Sequence, residues 1–172
     1  MGDVQSWAER APAVSTRWFL RPERADGIHG ADHIRRVHVL ADRLTTELGW
    51  HETARRRVLA AALWHDIGRT HDGEEPEHGA RSAERAVVLG LAGKLDAADA
   101  DAALFAVRLH SLADEAAYPV AGETDLEILW LLKDADALDR VRLGRDDLDP
   151  SRLRFAHSHR LIGFAARLYE LL

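Results

Sequence analysis

The 172-residue sequence predicts an all-α protein, a compact bundle of six to seven helices. Three observations predict it. Apolar residues recur at spacings of three and four through most of the chain, the period of a helix with one buried face. No alternation with the period of a strand persists. The stretches between periodic segments, such as RPERADGIHG, RTHDGEEPEHG, ADEAAYPVAGE and GRDDLDPS, are short and rich in turn formers. With 47% hydrophobic and 30% charged residues, the composition is that of an ordinary globular protein. The length fits one domain over residues 1–172, able to bury a sizeable core without covalent staples.

The elements follow in chain order. The first 20 residues hold one helix, bent at Pro12. In GADHIRRVHVLADRLTTELGW, Val37, Leu40, Leu44 and Leu48 share one face, and Gly49 ends the run. ETARRRVLAAALWHDIG begins amphipathic and becomes apolar all round from Val58 to Trp64, the mark of a buried central helix. PEHGARSAERAVVLGLAG opens on Pro76, suited to a first helical turn, and its stripe reads Ala83, Val87, Leu91. Asp96 is placed to cap DAADADAALFAVRLHSL, and Thr124 to cap TDLEILWLLKDADALDRV. A last helix over 155–172 aligns Leu161, Ala165, Leu168 and Leu172.

Composition narrows the function classes. There is no cysteine, which excludes disulfides and thiolate metal sites. No basic stretch followed by an apolar one opens the chain, and runs such as LEILWLL are too short to cross a membrane. A cytoplasmic protein with no membrane partner is expected. The net charge of −6 with scattered basic residues argues against a duplex nucleic-acid partner, which needs a basic face. It leaves room for a local pocket that takes a small anion. Apolar residues of the first and last helices serve either the core or a homodimer.

The ten histidines are the chain's oddity. At this His and Asp content about one His-Asp dipeptide is expected by chance, so position must separate the two present. His71-Asp72 lies in a polar loop, whereas His65-Asp66 closes the most apolar helix. His65 continues the row Val58, Ala61, and Asp66 continues the row Leu59, Ala62. A carboxylate on a buried face must be paired or bound to a cation. His33 shares a stripe with Val37, Leu40 and Leu44; His110 follows Ala103 and Val107; Asp136 follows Leu129 and Leu132. His78 sits in the first turn of its helix, off the stripe drawn above, only a short loop beyond Asp66. Each alone reads as a hydrogen-bonded core residue, and Asp136 has Lys133 and Arg140 at pairing distance on its own helix. Together, imidazoles and carboxylates from several helices are how bundles build metal sites. Nitrogen and oxygen donors suit iron, manganese, cobalt, nickel or zinc.

The order His33, His65-Asp66, Asp136 resembles the HD superfamily of metal-dependent phosphohydrolases. HGADHIRRV resembles its His-x-x-Arg-Val segment, AALWHDIGR its ALLHDIG signature, and LKDADALDRVRLG its closing Ala-Asp-x-Leu-Asp segment. PEHGARSAE and AVRLHSL are similar to the additional histidine segments of members with two metals. The likeness spans 28–142. It implies an HD-type helical bundle in which His33, His65, Asp66 and Asp136 hold one divalent transition metal. Asp66 would bridge to a second ion at His78 and His110. Arg36 would hold a phosphate oxygen, and Asp72 or Glu75 would serve as a loop acid or base. The implied activity is hydrolysis of a phosphate ester, in a nucleotide or related small metabolite, by a water that the metal activates. Two other readings stand beside it: a dinuclear-iron oxygenase of the same superfamily, and a non-catalytic nucleotide sensor.

Overall fold

The computed structural model describes residues 3–144 and 147–172, and among them there are helices and 3-10 turns but no strand. The helices are α1 (Val4–Ala8), α2 (Ala31–Glu47), α3 (Glu52–Trp64), α4 (His78–Val88), α5 (Ala97–Leu109), α6 (Glu123–Leu138), α7 (Ala156–Arg160) and α8 (Ile162–Tyr169). Six are long, and α1 and α7 are single short turns, so the all-α reading holds. None of the helices is long and apolar enough to cross a membrane.

Helix ends show where local chemistry decides. Asp96 caps α5 by accepting the Asp99 N–H. For α6 the cap is Gly122 rather than Thr124, because the Asp125 carboxylate accepts the Gly122 N–H and begins the helix earlier. α4 begins at His78, two residues beyond Pro76. Near the N-terminus only Val4–Ala8 is α-helical, and a 3-10 turn follows at Thr16–Trp18. Pro12 disfavours helical geometry in the residue before it. The last helix is two: Leu161 ends α7 and begins α8. Its stripe survives the break, with Leu161, Ala165 and Leu168 buried.

The core is formed by α2, α3, α5 and α6, whose inward faces carry Val37, Leu40, Leu44, Val58, Ala61, Ala103, Val107, Leu129 and Leu132, all fully buried. Burying each of the valine and leucine side chains contributes about 1.5–3 kcal/mol. α3 is fastened to α5 by Arg56 and Arg57, which both reach the buried Asp99. α8 packs on the 3-10 turn Asp139–Leu143 that prolongs α6. α4 lies against α5 unusually closely. A Cβ at Gly79 would stand 2.7 Å from the Val107 carbonyl oxygen, and one at Gly68 would stand 2.3 Å from the Ser82 nitrogen. Gly79 lets the start of α4 draw in on α5, and Gly68 lets the loop after His65-Asp66 draw in on α4.

Candidate metal centre

Five helices deliver their polar residues to one place. His33 comes from the first turns of α2, His65 caps the C-terminus of α3, and Asp66 follows it. His78 opens α4, His110 caps α5, and Asp136 lies in the last turn of α6. All but Asp136 are buried; the Asp136 side chain is 37% exposed.

The tips form two groups that share Asp66. His33 Nε2 lies 3.1 Å from His65 Nε2, 3.3 Å from Asp136 Oδ1 and 3.4 Å from Asp66 Oδ2. On the other side, Asp66 Oδ1 is 3.0 Å from His78 Nε2 and 3.6 Å from His110 Nε2, and these nitrogens are 2.9 Å apart. Either group could hold a metal ion: His33, His65 and Asp136, or Asp66, His78 and His110.

The hydrogen bonds behind the rings test whether a cation fits. His65 Nδ1 donates to the Ala62 carbonyl at 2.8 Å, His78 Nδ1 to Glu75 at 2.5 Å, and His110 Nδ1 to Val107 at 2.7 Å. His33 Nδ1 donates to Asp139 Oδ2 at 2.7 Å. With the proton fixed on Nδ1, each neutral ring presents a bare Nε2 lone pair. Four lone pairs and two carboxylates then converge with no donor of their own, an arrangement that a divalent cation satisfies. Without a metal, protons must serve instead. Burial would depress His33, but hydrogen bonds to Asp136, Asp139 and Asp66 outweigh it and push the imidazole up to about 10. His65, with burial dominating, falls to about 3. Asp66 and Asp136 resist the upward push of burial and stay well below the usual carboxylate range, held there by the surrounding histidines.

Arg36 is already engaged within the protein. Its guanidinium is buried, with Nε 2.7 Å from Asp139 Oδ1 and Nη2 3.1 Å from Oδ2, and it lies beneath the Tyr169 ring. The fork expected to hold a substrate phosphate is occupied by Asp139, and through Asp139 it orients His33. Asp72 is exposed and paired with Arg24 at 2.7 Å, so it is not among the converging groups. Glu75 accepts from the Thr70 hydroxyl and amide and from Arg81. Both loop acids brace the loop in this geometry.

Three contributors escaped the sequence reading. Asp139, inside the quoted closing segment, joins His33, Arg36 and Arg142. Arg69 donates through Nε to Asp66 Oδ1 at 3.1 Å. His29 Nδ1 lies 3.1 Å from Asp66 Oδ2, and His29, His33 and Asp66 form a further group able to hold an ion. His29 precedes His33 by four residues, a helical spacing, but it sits ahead of the helix start. A cavity of about 660 Å³ opens beside the cluster, with Asp136 and His110 in its wall.

An all-helical scaffold whose separate helices converge imidazoles and carboxylates defines a protein equipped to bind metal. Comparison with family models specifies which kind: the HD domain matches residues 30–141, well over half of the chain. The chain belongs to the HD domain family, whose members generally bind divalent metals. Comparison with curated proteins and with solved structures finds no match.

Proposed function

We propose that the protein is a metal-dependent hydrolase of phosphate esters, acting on a nucleotide or a related small phosphorylated metabolite. The observation that carries the reading is the donor set: four imidazoles with Nδ1 protons directed outward and two carboxylates with oxygens directed inward. His33, His65, Asp66 and Asp136 would hold one divalent ion, and Asp66, His78 and His110 a second. Such an ion, when bound, supplies Lewis acidity and makes a nucleophile of water near neutral pH. The chain's own residues do the rest. Asp139 and three backbone carbonyls fix the tautomer of each ligand ring. Arg69 and His29 orient the Asp66 carboxylate so that one oxygen faces each group. The half-open Asp136 marks the edge at which a substrate enters from the cavity.

The test uses full-length protein reconstituted separately with manganese, cobalt, nickel, zinc and, anaerobically, iron. Phosphate release is screened over nucleotides and sugar phosphates while oxygen uptake is followed in parallel. Metal-dependent phosphate release supports the reading. Oxygen consumption tied to turnover without phosphate release would replace it with the oxygenase. Tight nucleotide binding without turnover in any metal would replace it with the sensor.

A further inference from the structure

The cavity beside the metal cluster has a charged wall that the proposed chemistry has not used. Lys133 and Arg140 line it together with Asp136. They stand three residues before and four after Asp136, so all three share one side of α6 and its 3-10 extension. That spacing suggests ion pairs with Asp136, but the structure sends both cations elsewhere. Lys133 Nζ lies 2.7 Å from the Leu112 carbonyl and 2.5 Å from Asp114 Oδ1. Arg140 pairs with Asp147 at 2.6 Å.

The two positions differ in how they are held. The Lys133 side chain is only 9% exposed. Asp114, which grips it, is itself held by Nε and Nη2 of Arg154 at 2.8–3.1 Å. An ammonium has three donors; two are engaged, and beyond the Trp130 ring 5.7 Å away the third has no hydrogen-bond partner among the described residues, at a position in the cavity wall. Arg140 is half exposed and stands where this cavity meets a second one of about 400 Å³, whose wall it shares. Seven residues separate the two cations, about 10 Å along the helix at 1.5 Å per residue. The two cations therefore occupy separate positions along one wall of the cavity.

We propose that Lys133 and Arg140 are the anion-binding residues of this cavity and that the substrate carries two anionic groups. Lys133 takes an oxygen of the phosphate at the Asp136 edge, and Arg140 takes a second phosphate or carboxylate further out. A diphosphate or a bisphosphate fits this arrangement, whereas a simple monoester leaves Arg140 with Asp147. The inference rests on the phosphate-ester reading for the identity of the first group.

The experiment measures binding of inorganic phosphate and of pyrophosphate to the manganese-loaded full chain by calorimetry, with metal content and melting temperature recorded for every variant. Lys133→Met weakens both anions by about tenfold or more, and Lys133→Arg restores much of the loss. Arg140→Met weakens pyrophosphate by about tenfold but phosphate by less than about threefold. Unchanged phosphate binding in Lys133→Met at normal metal content overturns the role of Lys133. Equal losses of both anions in Arg140→Met overturn the second anionic group. Should Lys133→Met fold poorly, Lys133→Gln, which keeps a donor to Asp114, makes the same comparison. If the wild type releases phosphate from no ester yet shows this binding pattern, the hydrolase reading fails and the anion site stands. If it releases phosphate while both variants bind like wild type, the inference alone fails.

Discussion

Asp139→Asn isolates the support behind the metal cluster without touching a proposed ligand. The Asp139 carboxylate is fully buried. It accepts from His33 Nδ1 at 2.7 Å, from Arg36 at 2.7 and 3.1 Å, and from Arg142 at 3.2 Å. Burial opposes its ionisation, yet His33 and Arg36 hold it below the usual carboxylate range. The amide keeps the shape, removes the charge and offers one acceptor oxygen where two served. Removing one partner of a buried ion pair costs about 3–5 kcal/mol, and this anion is shared between two guanidinium groups, so the upper part of that range is expected. Losing the partner that orients a metal-binding histidine lowers metal affinity by about 10–100-fold. Urea unfolding of the metal-free chain reads the first effect, and calorimetric manganese titration reads the second. Arg36→Ala is expected to act in the same direction through the same carboxylate, lowering stability and metal affinity together. Wild-type manganese affinity in Asp139→Asn would refute the claim that this carboxylate sets the His33 ring.

Two further outcomes follow from other parts of the molecule. Saturating manganese should raise the melting temperature of the wild type, since ligand at 100 times its Kd stabilises the folded state by about 2.7 kcal/mol; in Asp66→Ala, which removes the carboxylate shared by both groups, the shift should vanish and bound metal should be lost. His38, half-buried with its Nδ1 shielded from solvent and unpartnered among the described residues, is pushed down to about 4 chiefly by burial. The unfolded chain therefore binds a proton that the folded chain refuses. Its contribution to stability is complete above about pH 6.5 and is lost as pH falls towards 4, by at most about 3 kcal/mol. His38→Leu should flatten that part of the curve of unfolding free energy against pH, and an unchanged slope there would show that His38 is not the titrating group.

The sequence exposed the cluster wherever a polar residue interrupted an apolar row. His33 leads a row of core residues, His65, Asp66, His110 and Asp136 each follow one, and the structure draws them together. His78 was harder to read, because the stripe Ala83, Val87, Leu91 is not the inward face of α4. Val87 is 55% exposed, while His78, Gly79, Ser82, Ala83 and Ala86 are buried. A face made of small residues carries little hydrophobic signal, although it is what allows close packing. The engagement of Arg36 is hidden from the sequence for another reason. Its partner Asp139 lies 103 residues away, and no local pattern shows that a guanidinium is already engaged. Lys133 and Arg140 were visible as neighbours of Asp136, but only the tertiary structure shows Asp114 and Asp147 drawing them off it.

The tight seam between the fourth and fifth helices bears on how many ions the protein can carry. His78 and His110 are near neighbours because position 79 has no side chain to wedge the backbones apart. A single methyl group there would widen the gap while leaving every donor in the sequence. If both groups take an ion, chains with the same histidines and aspartates would differ in metal count through interhelical spacing alone, set by a residue that touches no ion.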